Sequence, residues 1–109
     1  METVVCYKDR DNSFLITLTK NGVTLSPTEM SAITKFEIKH KGIFYNSIDN
    51  PSGFVRDNTN GTVQIKPYEL GFDVSIDRVE FIVYDSGDFI HGLLWSVFVL
   101  KVSGEASLS

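Results

Sequence analysis

The sequence predicts an all-β chain folded as a two-layer antiparallel sandwich. Apolar and polar residues alternate with period two in short runs, turn-forming clusters interrupt the runs at roughly 8 to 12 residue intervals, and no stretch has the 3.6-residue period of an amphipathic helix. This pattern corresponds to about seven or eight strands, with a small closed β-barrel as the alternative arrangement.

Each element has its own local reason. Phe14, Ile16 and Leu18 alternate with Leu15, Thr17 and Thr19, and Asn21-Gly22 follows. That pair reaches positive φ easily and so marks a two-residue hairpin with a short return at Val23 to Leu25. From Ile33 to His40, Phe36 and Ile38 fall on one face and Lys35, Glu37 and Lys39 on the other, as in a strand that is core on one side and wet on the other. The apolar group Ile43-Phe44-Tyr45 precedes a polar stretch, and Asp49-Asn50-Pro51-Ser52-Gly53 reads as a turn-rich loop.

Phe54 and Val55 start another short strand. Asn60-Gly61 is a second hairpin signal and leads into Thr62 to Lys66, with Val63 and Ile65 inward. Pro67 ends that run because it has no N–H for a ladder. Pro67 to Leu70 fits one helical turn closed by Gly71, and Phe72 to Asp77 reads as a connection because its alternation loses phase at Arg78. Val79 to Tyr84 and Leu93 to Val102 are the clearest strands, rich in β-branched and aromatic residues and joined by a turn at Asp85-Ser86-Gly87-Asp88.

The 109 residues are enough for one hydrophobic core. A single domain is expected over residues 1–103, followed by a flexible polar tail at 104–109. With 42% hydrophobic and 22% charged residues the chain is expected to fold. A net charge of −4 argues against nucleic acid as a partner. The N-terminal residues lack the charged and apolar regions of a signal peptide, the longest apolar run is too short to span a bilayer, and the lone cysteine, Cys6, cannot form an internal disulfide. The expectation is a soluble protein made in a cytosol, with no membrane partner.

No catalytic, cofactor-binding or metal-binding residues are expected. His40 and His91 have no Cys, His or carboxylate at ligand spacing, and Cys6 sits in an apolar run without a cation to activate it. Asp57-Asn58-Thr59-Asn60-Gly61 resembles a calcium loop only superficially, because the alternating acids and the closing bidentate Glu are missing, so a turn is the better reading. Asn60-Gly61-Thr62 matches a glycosylation sequon, which the hairpin already explains. Without a nucleophile elbow, a phosphate-cradling loop or a distinct carboxylate pair, the chain reads as no enzyme.

One strand is unusual. Trp95, Val97 and Val99 fall on one face and Leu94, Phe98 and Leu100 on the other, so both faces are apolar. A two-layer sandwich covers only one of them. Either the segment Ile43 to Arg56 folds over the second face, or a partner subunit does.

Three stretches carry a family resemblance: the opening Tyr7-Lys8-Asp9-Arg10-Asp11-Asn12-Ser13-Phe14-Leu15-Ile16-Thr17-Leu18 with its Asn21-Gly22 hairpin, the charged strand Ile33-Thr34-Lys35-Phe36-Glu37-Ile38, and the ending Val79-Glu80-Phe81-Ile82-Val83-Tyr84-Asp85, a turn, then His91-Gly92-Leu93-Leu94-Trp95. In these the chain resembles the small immunoglobulin-like virion structural proteins of tailed bacteriophages. The likeness runs in pieces and skips Gly42 to Phe72.

The resemblance implies an immunoglobulin-like sandwich and a virion component, a decoration, neck, tail or baseplate subunit. Such a subunit would be made in the host cytoplasm and would bind other virion proteins, as a homo-oligomer in the assembled particle, with no catalytic residues to carry over. The alternative is a carbohydrate- or peptide-binding module that stacks aromatics among Phe44, Tyr45, Phe54, Tyr68 and Phe89 on a ligand.

Overall fold

The computed structural model describes residues 2–8, 12–85 and 93–103, and for Leu93 and Leu94 the backbone alone. The strands are β1 (Thr3–Tyr7), β2 (Phe14–Thr17), β3 (Thr19–Lys20), β4 (Val23–Thr24), β5 (Ile33–His40), β6 (Ile43–Asn46), β7 (Phe54–Asp57), β8 (Thr62–Ile65), β9 (Ser75–Asp85) and β10 (Leu93–Ser103). Two short helices, α1 (Pro27–Ser31) and α2 (Pro67–Leu70), and a 3₁₀ turn at Pro51–Gly53 connect them.

Eight of these strands form two sheets, one ordered β1-β10-β9-β5-β6 and the other β2-β8-β7, while β3 and β4 form a separate hairpin. The chain is an all-β sandwich and not a closed barrel. All pairings are antiparallel except β1 with β10, which run parallel with Thr3 opposite Val99 and Tyr7 opposite Ser103.

Turn chemistry explains the connections. Asn21 and Gly22 take φ of 53° and 79°, and Lys41 and Gly42 take 53° and 76°. Both pairs thus have the double positive φ of a type I′ hairpin, whose twist matches that of the flanking strands. Gly61 is held more tightly, because at φ 67° a Cβ there would lie 2.9 Å from the Leu25 carbonyl oxygen. Helix α2 closes on Gly71 in the left-handed region, as the sequence predicts.

Helix α1 falls where the sequence reading places no element. Ser26 Oγ accepts from Glu29 N and Glu29 Oε1 accepts from Ser26 N, a reciprocal capping box with Pro27 at the first helical position. The helix is too short to show a period, but it seals one end of the sandwich with the fully buried Met30.

Both sheets contribute to the core. Phe36 of β5 stacks on Phe81 of β9 with ring centres 5.8 Å apart, and Phe14 of β2 meets Phe98 of β10 edge-on at 5.6 Å across the layers. Val63 and Ile65 of β8 are buried as expected, together with Ile38, Leu18 and Leu100. Cys6 lies in the same core as a free thiol, so no disulfide links the layers.

Several expectations need correction. Strand β9 begins at Ser75, so Ser75 to Asp77 belong to a strand and not to a connection. The alternation misleads there because Ile76 points outward while Asp77 shares the inward phase of Val79 and Phe81. Trp95 does not line up with Val97 and Val99. Leu94 pairs with Ile82 and Ser96 with Phe81, which makes Trp95 the extra residue of a β-bulge and turns it against the core. The segment Ile43 to Arg56 does not cover the outer face of β10, since it forms the far edge β6, the 3₁₀ turn and β7 of the opposite sheet. Residues 86–88 of the expected turn, Asp9 to Asp11 of the opening, and the tail at 104–109 lie outside the described residues.

Candidate interaction surface

The outer face of the five-stranded sheet follows from its registers. Val97 and Val99 project from β10, Glu80, Ile82 and Tyr84 from β9, Lys35, Glu37 and Lys39 from β5, and Phe44 from β6. One half is a polar lattice. Tyr84 Oη donates to Glu37 Oε1 at 2.8 Å, Lys35 Nζ sits 4.1 Å from the Tyr84 ring centre, and Lys39 Nζ lies 3.8 Å from Glu80 Oε2. These neighbours leave Glu37 only 7% exposed, although its strand phase is the wet one. Burial, then the Glu37 hydrogen bond and charge, push the Tyr84 hydroxyl above the usual tyrosine range. Beside it, Val97 and Val99 of β10 are half-buried, opposite Glu80 and Arg78 in register.

Three sheet edges, β1, β2 and β6, lack charged side chains. On β6, Ile43 and Phe44 are 56% and 53% exposed, and Ile48 beyond them is exposed as well. Ser47 N donates to Phe36 O, so the odd-numbered residues of β6 face β5 and the main-chain N–H and C=O of Phe44 face away from the sheet. On β2 the exposed Leu15 stands beside a crevice of ≈ 340 Å³ lined by Val4, Phe14, Ile16, Val97 and Phe98. A second hollow of ≈ 390 Å³ is lined by Leu25, Ala32, Ile33, Val83 and Trp95, with Lys20, Glu29 and Asp85 also on its wall.

The residues considered for chemistry are occupied otherwise. His40 is 3% exposed, its ring stacks on Phe72 at 4.3 Å, and Nε2 lies 3.4 Å from Ser75 Oγ. Burial lowers its pKa from the ordinary histidine value, with Asp77 opposing and Lys41 adding to the shift. Burial raises the Cys6 thiol, which keeps it protonated and unreactive. Both oxygens of Asp57 serve its own turn, accepting from Thr59 N, Asn60 N and Asn60 Nδ2. His91 lies outside the described residues, and among the described ones no group of three His, Cys, Asp or Glu is placed to hold a metal ion.

The aromatics considered for ligand stacking do not form one platform. Phe54 is buried, Tyr45 packs edge-on against Phe72 at 4.9 Å, Phe44 and Tyr68 are exposed on separate elements, and Phe89 lies outside the described residues. No helix among the described residues is long and apolar enough to cross a membrane. No protein-family model matches the chain, and comparison with curated proteins finds no match.

Proposed function

We propose that this chain is a non-enzymatic structural subunit of a tailed-phage particle, serving in decoration, neck, tail or baseplate and acting through protein contacts. The observation that carries this reading is where the apolar surface lies. Ile43 and Phe44 line an uncharged edge, Leu15 lies beside another, and Val97 and Val99 stand on the outer sheet face. These are positions a neighbouring protein can reach. Many weak contacts of this kind gain strength when copies are arrayed on one particle.

The carbohydrate- or peptide-binding alternative has less support, because Tyr45 and Phe54, two of its five aromatics, are committed to packing. Quantitative mass spectrometry of gradient-purified particles from the encoding phage tests the reading. The expected result is peptides of this chain at a fixed, multi-copy ratio to the capsid protein. Particles free of the chain, together with monomeric binding to an oligosaccharide array, would establish the alternative.

A further inference from the structure

We propose that the β6 edge is a self-association site, at which a second copy of this chain pairs antiparallel about a two-fold axis at Phe44 and joins two five-stranded sheets into one. The inference rests on, and deepens, the reading of the chain as an assembling subunit.

The backbone supplies the first argument. The type I′ turn at Lys41-Gly42 and the Ser47 N to Phe36 O bond fix which β6 groups face β5, leaving the N–H and C=O of Phe44 pointing off the sheet. Two such strands related by a two-fold exchange a reciprocal pair of hydrogen bonds between their Phe44 residues, as any antiparallel hydrogen-bonded pair does.

Side chains supply the second argument. The edge lacks the usual protections, with no proline, no bulge and no charged residue in Ile43–Asn46, while β7 is guarded by Arg56 and Asp57. Pairing would set Phe44 beside Phe44 and Ile43 beside Tyr45 of the other copy.

Charge selects the occupant and its direction. Lys41 stands just before the strand and Asp49 just after it. Antiparallel self-pairing brings the lysine end of each copy beside the aspartate end of the other, twice, whereas parallel pairing would set lysine against lysine. Because β6 has only 4 residues, the buried area falls below the roughly 1,000 Å² of a standing complex. The contact is therefore weak in solution and is consolidated in an array.

Sedimentation velocity on the full chain, from micromolar to about millimolar concentration, tests this, with circular dichroism confirming the fold of each variant. The wild type is expected to show a monomer–dimer equilibrium. Phe44→Pro removes an N–H that β5 does not use and is expected to leave a folded monomer, while Leu15→Pro on the uncharged β2 edge is expected to leave the dimer intact. Should Phe44→Pro unfold, Lys41→Asp is expected to weaken dimerisation about tenfold or more, and Lys41→Asp with Asp49→Lys to restore it.

A wild type that stays monomeric to millimolar, a dimer that survives Phe44→Pro, or a charge swap without rescue would overturn the proposal. A monomer that is nonetheless abundant in purified particles would reject this edge and keep the virion reading. A dimer absent from particles would do the reverse.

Discussion

At the scale of single residues, His40 shows how a titratable group becomes structural. It sits in the inward phase of β5 between the Phe72 ring and Ser75, where water cannot solvate an imidazolium. Its folded pKa therefore lies below its unfolded value of about 6.5. The stabilising contribution is complete above that unfolded value and is lost as pH falls towards the folded pKa, because the unfolded chain takes up the proton first. Urea titrations at stepped pH are expected to show the midpoint dropping below about pH 6.5, with a smaller drop over that interval in His40→Gln. An equal drop in the variant would assign the effect to carboxylates.

Other residues show where the alternation of polar and apolar residues stops being informative. Glu37 occupies the wet phase of β5 and is still covered, because Tyr84 reaches it from the neighbouring strand, a partnership set by register and not by proximity in sequence. Trp95 changes direction through a one-residue bulge, and a period-two reading assigns such a residue to the wrong side.

At the scale of elements, Arg56 ties the layers together at the α1 end. Its Nη1 donates to Ile33 O at 2.9 Å and its Nη2 to Met30 O, while its guanidinium lies 5.1 Å from the Phe36 ring centre. One side chain thus satisfies carbonyls at the end of α1 and the start of β5, groups that no helical partner can reach. Arg56→Ala is expected to cost about 1.5 to 3 kcal/mol, the range for hydrogen bonds to charged groups, towards the lower end because the side chain is exposed, read as a shift in the denaturation midpoint. Arg56→Lys is expected to recover only part of this, since an ammonium cannot span both carbonyls.

The elements were unevenly legible. Alternation located β5, β8 and most of β9 and β10, and the Asn-Gly pairs located two hairpins, because these signals are local. Helix α1 is invisible to a search for periodicity although Ser26-Pro27-Thr28-Glu29 spells a capping box. Its signal lies in caps and not in periodicity. The exposed edge at Ile43 and Phe44 read simply as an apolar group, since exposure depends on β6 being the last strand of its sheet, which strand order alone decides.

At the scale of the whole molecule, a single buried cluster draws on both sheets, α1 and α2. With one core and no disulfide, the described domain is expected to melt in one cooperative transition, its calorimetric and van't Hoff enthalpies agreeing. Two resolved transitions would mean that the three-stranded layer is stable by itself. The sandwich was legible because it follows from composition and periodicity, whereas contacts with other molecules depend on which edges and faces are left open, and that is a property of the assembled sheets.

The parallel pairing of β1 with β10 bears on biosynthesis. Val99 N donates to Glu2 O and Lys8 N to Ser103 O, so β1 finds its neighbour in a strand translated after all the other strands described. Strand β10 is also the link between β1 and β9, and the larger layer cannot close while it is still inside the ribosome. Nascent chains should therefore wait with the β9 edge of that layer unpaired, at risk of meeting one another before β10 is in place.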